Sequence, residues 1–348
     1  MLHTRRISKP APYECDLMKV LQVGLGSMGK RRIRCLRALG ERDIIAYDTR
    51  EDRRAEAVER YGVRIVERFE DGLNAGVETV IVSTPPDAHY PFVKEALDAG
   101  KHCFSEANIE SEGAEELAML AANRSVIAAP SATLRFHPLY QHLRRLVIDE
   151  RVLGKPLLLD FHMGHYLPDW HPWEGLDFYA GRKATGACRE MVPFEFQWMW
   201  WIFGPVESVQ CAYGKQLDLA VDVDDAYAII VRFTSGLLAT VLIEVVARSP
   251  VRDGRLLSQS GSITWEFYAN RLRYYDGASR RWREYDATAK GFDIEDMYVG
   301  ETEAFLKACR GEALWTHSYA DDRELGRILL ACEQSSERGH RVTLKKVV

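Results

Sequence analysis

The chain of 348 residues is 47% hydrophobic and 28% charged, and its formal net charge is −5. This length and composition predict a globular protein of two domains, and the slight negative charge argues against a nucleic-acid partner. Seven scattered cysteines without a C-x-x-C pair predict reduced thiols in a cytoplasmic protein and no structural zinc site, and no apolar run has the length of a membrane span.

The first predicted element is a strand, residues 20–23, that ends in a glycine turn and leads into a helix with apolar residues at positions 33, 36 and 39. In a Gly24-x-Gly26-x-x-Gly29 turn, the first glycine permits the tight turn and the second lets the backbone approach a pyrophosphate. The third lets the helix pack closely on the strand. The sequence therefore predicts a dinucleotide-binding site. Its predicted contacts are Gly24, Gly26, Ser27, Met28 and Gly29.

The second predicted strand, residues 43–48, ends in an acid about twenty residues beyond the last glycine. A carboxylate at this place hydrogen-bonds the ribose hydroxyls of NAD and repels the 2′-phosphate of NADP. Asp48 is therefore predicted to select NAD over NADP. Arg50 opposes this selection, since its side chain could turn to a phosphate.

The rest of the first half alternates predicted helices and strands, as in a parallel, doubly wound sheet. The double proline at 85–86 ends one strand at the carboxyl edge of this sheet, where cofactors bind. Further cofactor contacts are predicted there from Ser83, Thr84, Pro85 and His89. Predicted helices cover 52–61, 90–99 and 110–123, a helix-like segment covers 69–75, and predicted strands cover 63–66, 79–83, 101–106 and 125–129.

The second half is rich in predicted strands, with one apolar helix at 191–203 and two helices near the end, at 296–309 and 321–337. Strands are predicted at 155–162, 206–213, 225–233, 237–246 and 272–275. We therefore predict an extension at 1–17, an amino-terminal α/β domain at 18–133 and a carboxy-terminal α+β domain at 134–348.

Two strands of the second half carry consecutive apolar residues, at 228–231 and 241–243. Such runs predict burial on both faces, and a helix layer covers only one face. The sequence therefore predicts a homo-oligomer, a dimer or tetramer, that forms through this sheet.

With both halves considered, the chain resembles the Gfo/Idh/MocA family of glucose-fructose oxidoreductase and inositol dehydrogenase relatives. The resemblance rests on the glycine turn and on three motifs: STPPDAH at 83–89, GKHCFSE at 100–106 and SQSGSI at 258–263. It implies an amino-terminal Rossmann domain, a carboxy-terminal α+β domain with a large open mixed sheet that often makes oligomer contacts, a nicotinamide cofactor and a sugar or cyclitol substrate. It also implies that Glu106 contacts the nicotinamide or its ribose.

The chain departs from the family pattern at both catalytic positions. The family's lysine after the motif glutamate is replaced by Ala107, and its aspartate and histidine, four residues apart, are replaced by Glu190 and Phe194. Removal of a hydroxyl proton still needs an acceptor. The candidates, among which the sequence does not choose, are Glu190, His165, His137 and Tyr166. Apolar cover from Phe194 would raise the pKa of Glu190, and Arg189 would lower it.

A second group of polar and aromatic residues suits a sugar, whose ring stacks on tryptophan and whose hydroxyls take hydrogen bonds. The predicted substrate contacts are Arg135, Asp169, Trp170, His171 and Arg189, the last suited to an anionic group. For a single tryptophan the more common role is in the core or an interface. The nearest pair among His162, His165 and His171 would need a carboxylate to hold a metal ion, and the family resemblance implies no metal, so we predict no metal site.

The sequence as a whole predicts an NAD(P)-dependent oxidoreductase. The predicted reaction moves hydride to or from a hydroxyl or carbonyl group of a sugar-like compound, including nucleotide-linked and acidic ones. The alternative is an NAD-binding protein without net redox turnover, either a redox-neutral enzyme that retains NAD or a degenerate sensor or scaffold.

Overall fold

The computed structural model describes residues 17–107, 113–172 and 175–344. The predicted extension, apart from Leu17, lies outside the described residues, as do Asn108 and Trp173. The described chain contains a parallel sheet in its first half and a mixed sheet in its second half, which confirms the predicted fold class.

Within the described ranges, six parallel strands form the first sheet, in the order β3-β2-β1-β4-β5-β6. The strands are β1 (Val20–Val23), β2 (Ile44–Tyr47), β3 (Arg64–Ile65), β4 (Thr79–Val82), β5 (His102–Ser105) and β6 (Ala128–Pro130). The connecting helices are α1 (Ser27–Ala38), α2 (Glu51–Tyr61), α3 (Phe69–Leu73), α4 (His89–Asp98) and α5 (Ala114–Arg124). β1 and β4 are buried at every position because apolar clusters cover both faces of the sheet.

The order of the strands indicates at which edge of the first sheet a ligand is expected to bind. The chain passes from β1 outward to β2 and β3 and then returns to β4 on the other side of β1. Ligands of such sheets bind outside the carboxyl ends of the strands where the order reverses. Gly24 and Ser83 follow these two strands and therefore lie at this edge.

A short 3₁₀ helix, Thr133–Phe136, leads into the second half of the chain. Its helices are α6 (Pro138–Arg144), α7 (Ala187–Phe203), α8 (Ile294–Cys309) and α9 (Tyr319–Arg338). In the part of the chain that the structure describes, nine strands form the second sheet, in the order β14-β13-β12-β11-β7-β10-β9-β8-β15. They are β7 (Pro156–Tyr166), β8 (Val206–Gly214), β9 (Ala226–Phe233), β10 (Leu238–Glu244), β11 (Val246–Ser258), β12 (Gly261–Glu266), β13 (Arg271–Asp276), β14 (Arg281–Asp286) and β15 (Val342–Thr343).

Four of these strands, β11, β12, β14 and the two-residue β15, were not predicted from the sequence. β11 spans 13 residues, but charged residues interrupt its apolar alternation, and a bulge shifts its pairing with β7 between Val246 and Val251. A bulge adds one residue and moves the following side chains to the other face, so the period of two is lost.

The expectation that two strands are buried on both faces is not met within one chain. Exposure alternates along β9 and β10, with one face packed in the core and the other open. Ile230 and Leu242 lie on the open face and are 50% and 38% exposed.

The two carboxy-terminal helices pack against the first sheet as well as the second. Phe305 of α8 joins the apolar cluster of α1, and Tyr319 of α9 joins the cluster that covers α4 and α5. α9 also packs on β8 of the second sheet. The first domain is thus completed by residues from the end of the chain, and the division between 133 and 134 stays a prediction.

None of the described helices combines the length and the hydropathy of a membrane-crossing segment. The described cysteines carry free thiols, five of them buried. The described residues contain no group of three or more histidine, cysteine, aspartate or glutamate side chains placed to hold a metal ion.

Candidate active site

The glycine turn joins β1 to α1 with the close contacts that a dinucleotide site requires. Gly24 has a φ of +84°, and a Cβ on it would lie 2.5 Å from the Ser83 carbonyl oxygen. A Cβ on Gly29 would lie 1.9 Å from the Gly24 carbonyl oxygen. α1 begins at Ser27, and no side chain caps its first N–H groups. These N–H groups and the bare backbone of the turn fit the pyrophosphate of NAD.

The carboxylate of Asp48 lies directly after β2 and supports the glycine turn. It accepts hydrogen bonds from the backbone N–H groups of Leu25 (2.7 Å) and Arg50 (2.8 Å), and Asp48 is 6% exposed. The Arg50 side chain pairs with Asp52. Arg53, which the sequence analysis missed, places Nη1 3.9 Å from the Asp48 carboxylate.

The segment after β4 holds its shape through two side chains. Ser83 Oγ donates to Glu106 Oε1 at 3.1 Å. His89 Nε2 contacts the Thr84 carbonyl oxygen at 2.8 Å, and the ring is 2% exposed. His89 therefore supports the turn, and its contact with the cofactor stays a prediction. Ser83, Thr84 and Pro85 remain predicted cofactor contacts at the carboxyl end of β4.

Glu106 is held by a buried arginine. Arg32 of α1 donates Nε to Glu106 Oε1 at 2.7 Å and Nη2 to Glu106 Oε2 at 2.8 Å, and it also donates Nη2 to Glu301 of α8 at 2.8 Å. The sequence Arg31-Arg32-Ile33-Arg34 has the pattern of a solvated helix face. That interpretation is wrong for Arg32, because its side chain is fully buried. The contact of Glu106 with the cofactor stays a prediction.

Glu190 lies in the first turn of α7 and is half-buried. Its Oε1 accepts a hydrogen bond from Tyr179 at 3.3 Å, and its buried Oε2 has no hydrogen-bond partner among the described residues. Burial raises the pKa of Glu190 to about 8; the Tyr179 hydrogen bond opposes this rise, and the charge of Glu106 adds to it. The last effect indicates that the Glu190 and Glu106 carboxylates lie in the same region of the molecule.

Arg189 does not counteract the burial of Glu190. Its Nε donates to Glu333 at 2.8 Å, and its Nη1 donates to the Ala184 carbonyl at 2.6 Å. Of the two effects that were expected to act on the pKa of Glu190, burial raises it, and Arg189 does not lower it measurably. Because its guanidinium is paired within the protein, Arg189 is a weak candidate for an anion contact.

His165 and Tyr166 lie at the end of β7 and are half-buried. Burial lowers the pKa of His165, and its ring lies 5.8 Å from that of Trp170. Tyr166 packs under the guanidinium of Arg248 at 3.7 Å. Both residues stay candidates for proton handling.

His137 is a structural residue, which corrects its place among the proton-handling candidates. It caps α6 by accepting a hydrogen bond from the Leu139 backbone N–H at 3.2 Å, and it is fully buried. The ring stacks on Phe267 at 4.2 Å, and burial lowers its pKa to about 3. A neutral cap sealed by aromatic rings has no path to a substrate proton.

Arg135 also lies in the core. It is 8% exposed, its Nη2 contacts His317 Nδ1 at 3.1 Å, and burial lowers its pKa to about 10. This placement argues against the predicted substrate contact. Asp169 is exposed, Trp170 is half-buried beside His165, and His171 packs on Phe178 at 4.8 Å. These three stay predicted substrate contacts.

Two family models match this chain. The model of the oxidoreductase family with an NAD-binding Rossmann fold matches residues 18–131, and the model of the GFO/IDH/MocA C-terminal domain matches residues 140–264.

Single relatives match over different spans. An inositol 2-dehydrogenase of Leifsonia xyli subsp. xyli is 25% identical over 320 residues, which cover 89% of each chain. An uncharacterised oxidoreductase of Synechocystis sp. is 32% identical over 141 residues, 39% of this chain and only 37% of that relative. A crystallised levoglucosan dehydrogenase with NADH and levoglucosan has a TM-score of 0.84 at 18% identity, over 94% of this chain and 100% of that one, and shows a shared fold.

Proposed function

Because the chain belongs to the GFO/IDH/MocA family of NAD-binding oxidoreductases, we propose that it transfers hydride to or from a hydroxyl or carbonyl carbon of a sugar-like compound, with Glu190 exchanging the substrate proton. The activity class and the cofactor follow from the family. The substrate class and the role of Glu190 are our proposal.

The observation that carries this proposal is the unpartnered oxygen of Glu190. A buried carboxylate oxygen without a hydrogen bond is costly, unless a ligand supplies the partner. The raised pKa lets this carboxyl group take and release a proton near neutral pH, as a general acid or base must. The charge of Glu106, which follows β5 at the carboxyl edge of the first sheet, contributes to this raised pKa and supports a position of Glu190 near the expected nicotinamide.

The cofactor would be held by residues at the carboxyl ends of β1, β2 and β4. The N–H groups at the start of α1 would bind the pyrophosphate, and Asp48 would bind the adenosine ribose. When bound, oxidised nicotinamide supplies the acceptor for hydride. The residues of this chain then have to hold the substrate carbon beside it, keep water out and move the hydroxyl proton.

A sugar or cyclitol substrate is supported by two observations. The relatives named above include an inositol 2-dehydrogenase and a levoglucosan dehydrogenase, each named for a neutral polyol or sugar. In this chain, Trp170 lies beside His165 at the end of β7, so an apolar ring face and a polar group are adjacent.

The test is turnover of a panel of sugars by purified protein with NAD⁺, followed by nicotinamide absorbance. The panel contains myo-inositol, levoglucosan, glucose and UDP-N-acetylglucosamine. We expect oxidation of at least one compound, and loss of roughly two to four orders of magnitude in turnover for Glu190→Gln with NADH binding retained. Glu207→Gln, at an exposed acid of β8, is the matched control and should behave like the wild type.

The pH dependence provides a second readout on Glu190. Oxidation needs the deprotonated carboxylate, so its rate should rise with pH and level off above about 8, the pKa of this group. Reduction needs the protonated acid, so its rate should fall through the same range. Normal turnover by Glu190→Gln would transfer the role to His165 or Tyr166. Tight NADH binding without turnover of any panel compound would favour an NAD-binding protein without net redox turnover.

A further inference from the structure

Arg252 is a nearly buried cation on the inner face of the second sheet. It lies on β11 directly opposite Met163 of β7, and its side chain is 11% exposed. His165 lies two residues further along β7, so it points to the same face of the sheet. Since α7 covers this face, the side chain of Arg252 lies between the sheet and α7, the helix that carries Glu190.

Three residues hold the guanidinium in place. Its Nε lies 2.9 Å from Glu195 Oε1, although the N–H direction does not meet hydrogen-bond geometry, so the contact is an ion pair. The group packs over Phe267 at 4.8 Å and over Phe194 at 5.9 Å. Glu195 is itself fully buried and accepts a hydrogen bond from Trp198 Nε1 at 3.0 Å.

The two Nη nitrogens of Arg252 make no hydrogen bond to a described residue. Nε is among the fully buried atoms without a partner, but neither Nη is, so the accessible part of this side chain includes both Nη nitrogens. A guanidinium presents its donors in one plane, so a group held by its Nε side aims the Nη donors in a defined direction.

The guanidinium of Arg252 contacts the face of α7 that carries Glu190. Phe194, which the guanidinium contacts, is one helical turn beyond Glu190 on α7 and so lies on the same face. The charges of both Glu106 and Arg252 act on the Tyr298 hydroxyl of α8, so both groups lie in the neighbourhood of Tyr298.

We propose that Arg252 is a catalytic residue of the hydride transfer proposed above, and that its Nη groups donate hydrogen bonds to the reacting oxygen of the sugar. This inference rests on the proposed function. Ala107, where the family pattern has a lysine, supplies no donor, and Arg252 supplies one in the proposed arrangement. Its guanidinium contacts Phe194, which lies one helical turn from Glu190 on α7.

In the oxidation, the O–H bond breaks and its proton passes to the Glu190 carboxylate. The C–H bond breaks, its electron pair leaves as hydride to NAD⁺, and the carbon–oxygen double bond forms. Arg252 keeps its proton throughout and stabilises the negative charge that develops on the oxygen as the proton leaves.

The charge balance favours a neutral substrate. Glu195 compensates Arg252, and Glu106 with Glu301 more than compensates Arg32. These five charged residues therefore have no net positive charge that would attract a substrate carboxylate. The free N–H donors of Arg252 suit a hydroxyl or carbonyl oxygen instead. We therefore expect neutral polyols to be preferred over their uronic acids.

The test compares three variants: Arg252→Gln, Arg252→Lys, and a double variant that combines Arg252→Gln and Glu195→Gln. The double variant removes the buried carboxylate together with its arginine, so no buried charge is left unpaired. Arg255→Gln is the matched control, since Arg255 lies on the same strand and is exposed. We expect kcat for the panel compound that the wild type oxidises to fall roughly 10²- to 10³-fold in both Gln variants, with the Kd of NADH unchanged. Arg252→Lys should recover about tenfold, and millimolar guanidinium ion should partly restore Arg252→Gln.

Near-normal kcat in the double variant, or equal losses in NADH affinity and kcat without rescue by guanidinium, would overturn the assignment. If the wild type oxidises no panel compound, the proposed function fails separately, and Arg252 is tested by binding. Myo-inositol and levoglucosan are then titrated into the NADH complex with nicotinamide fluorescence as the signal. Binding at least tenfold weaker in Arg252→Gln than in Arg255→Gln supports the proposal, and equal or absent binding in all variants contradicts it.

Discussion

The carboxylate of Asp48 serves the glycine turn and the predicted ribose contact at once. Its two oxygens accept hydrogen bonds from the backbone N–H groups of Leu25 and Arg50. Each oxygen keeps a lone pair that can accept a hydrogen bond from a ribose hydroxyl. A 2′-phosphate would meet this charge at close range. Arg53 is a second nearby cation, besides Arg50, that could offset the repulsion.

We predict that Asp48→Ser weakens NADH binding roughly 10- to 100-fold, because hydrogen bonds to a charged group are lost. The affinity for NADPH should change less, so the ratio of the two Kd values should move toward NADPH. Fluorescence titration with both cofactors measures this. Asp52→Ser removes an exposed acid of α2 and serves as the control. Tighter binding of NADPH than NADH by the wild type would contradict the predicted NAD preference.

At the scale of elements, α8 is tied to α1 and to the segment before α6 by one buried carboxylate. Glu301 accepts hydrogen bonds from Arg32 Nη2 (2.8 Å), Ser131 Oγ (2.9 Å), Thr133 Oγ1 (2.8 Å) and the Ala132 backbone N–H. An amide in its place would turn one acceptor into a donor and leave part of the positive charge of Arg32 uncompensated. α8 thereby positions Arg32, and through it Glu106.

We predict that Glu301→Gln destabilises the fold by about 3–5 kcal/mol, the cost of removing one partner of a buried ion pair. The measurement is urea unfolding followed by circular dichroism. The control is Glu303→Gln on the same helix, where an exposed carboxylate pairs with Lys307, and there the cost should be below about 1 kcal/mol. Equal midpoints for the two variants would show that the four bonds to Glu301 contribute little net stability.

At the scale of the whole molecule, the second sheet has one face that the described residues leave open. The inner face packs on α7 and α9, whereas Leu158, Ile230 and Leu242 on the outer face are 47%, 50% and 38% exposed. The strand register places Ile230 opposite Thr240, diagonal to Leu242, and it places Leu158 opposite Leu238 of β10. Apolar residues left exposed on one face of a sheet are typical of a subunit contact.

We predict that the protein is a homo-oligomer through this outer face, and that Ile230→Glu with Leu242→Glu yields monomers. Charges on a buried apolar contact would lose their hydration without a partner. Light scattering coupled to size-exclusion chromatography at micromolar concentration gives the mass. Met119→Glu, at a residue of α5 that is 60% exposed, should leave the mass unchanged. A monomeric wild type would contradict the prediction.

The sequence by itself determined the features that depend on neighbouring residues. The glycine spacing, the acid after β2 and the alternation of apolar strands with helices are local patterns, and the structure has the Rossmann sheet that they predicted. The turn chemistry of Gly24 and Gly29 could be predicted because contacts within a few residues decide it. The candidate Glu190 was also available, through its position relative to the family motif.

Only the tertiary structure decided which charged groups are buried and what they face. Arg32 resembled its exposed neighbours in sequence, yet Glu106 and Glu301, 74 and 269 residues away, enclose it. Arg252 lies in a charged stretch with a bulge, so its inward direction follows from pairing with β7. His137 changed from a candidate base to a helix cap, and Glu190 gained its raised pKa. Burial depends on residues distant in the chain, and burial fixes the cost of a charge, so local sequence patterns do not carry this information.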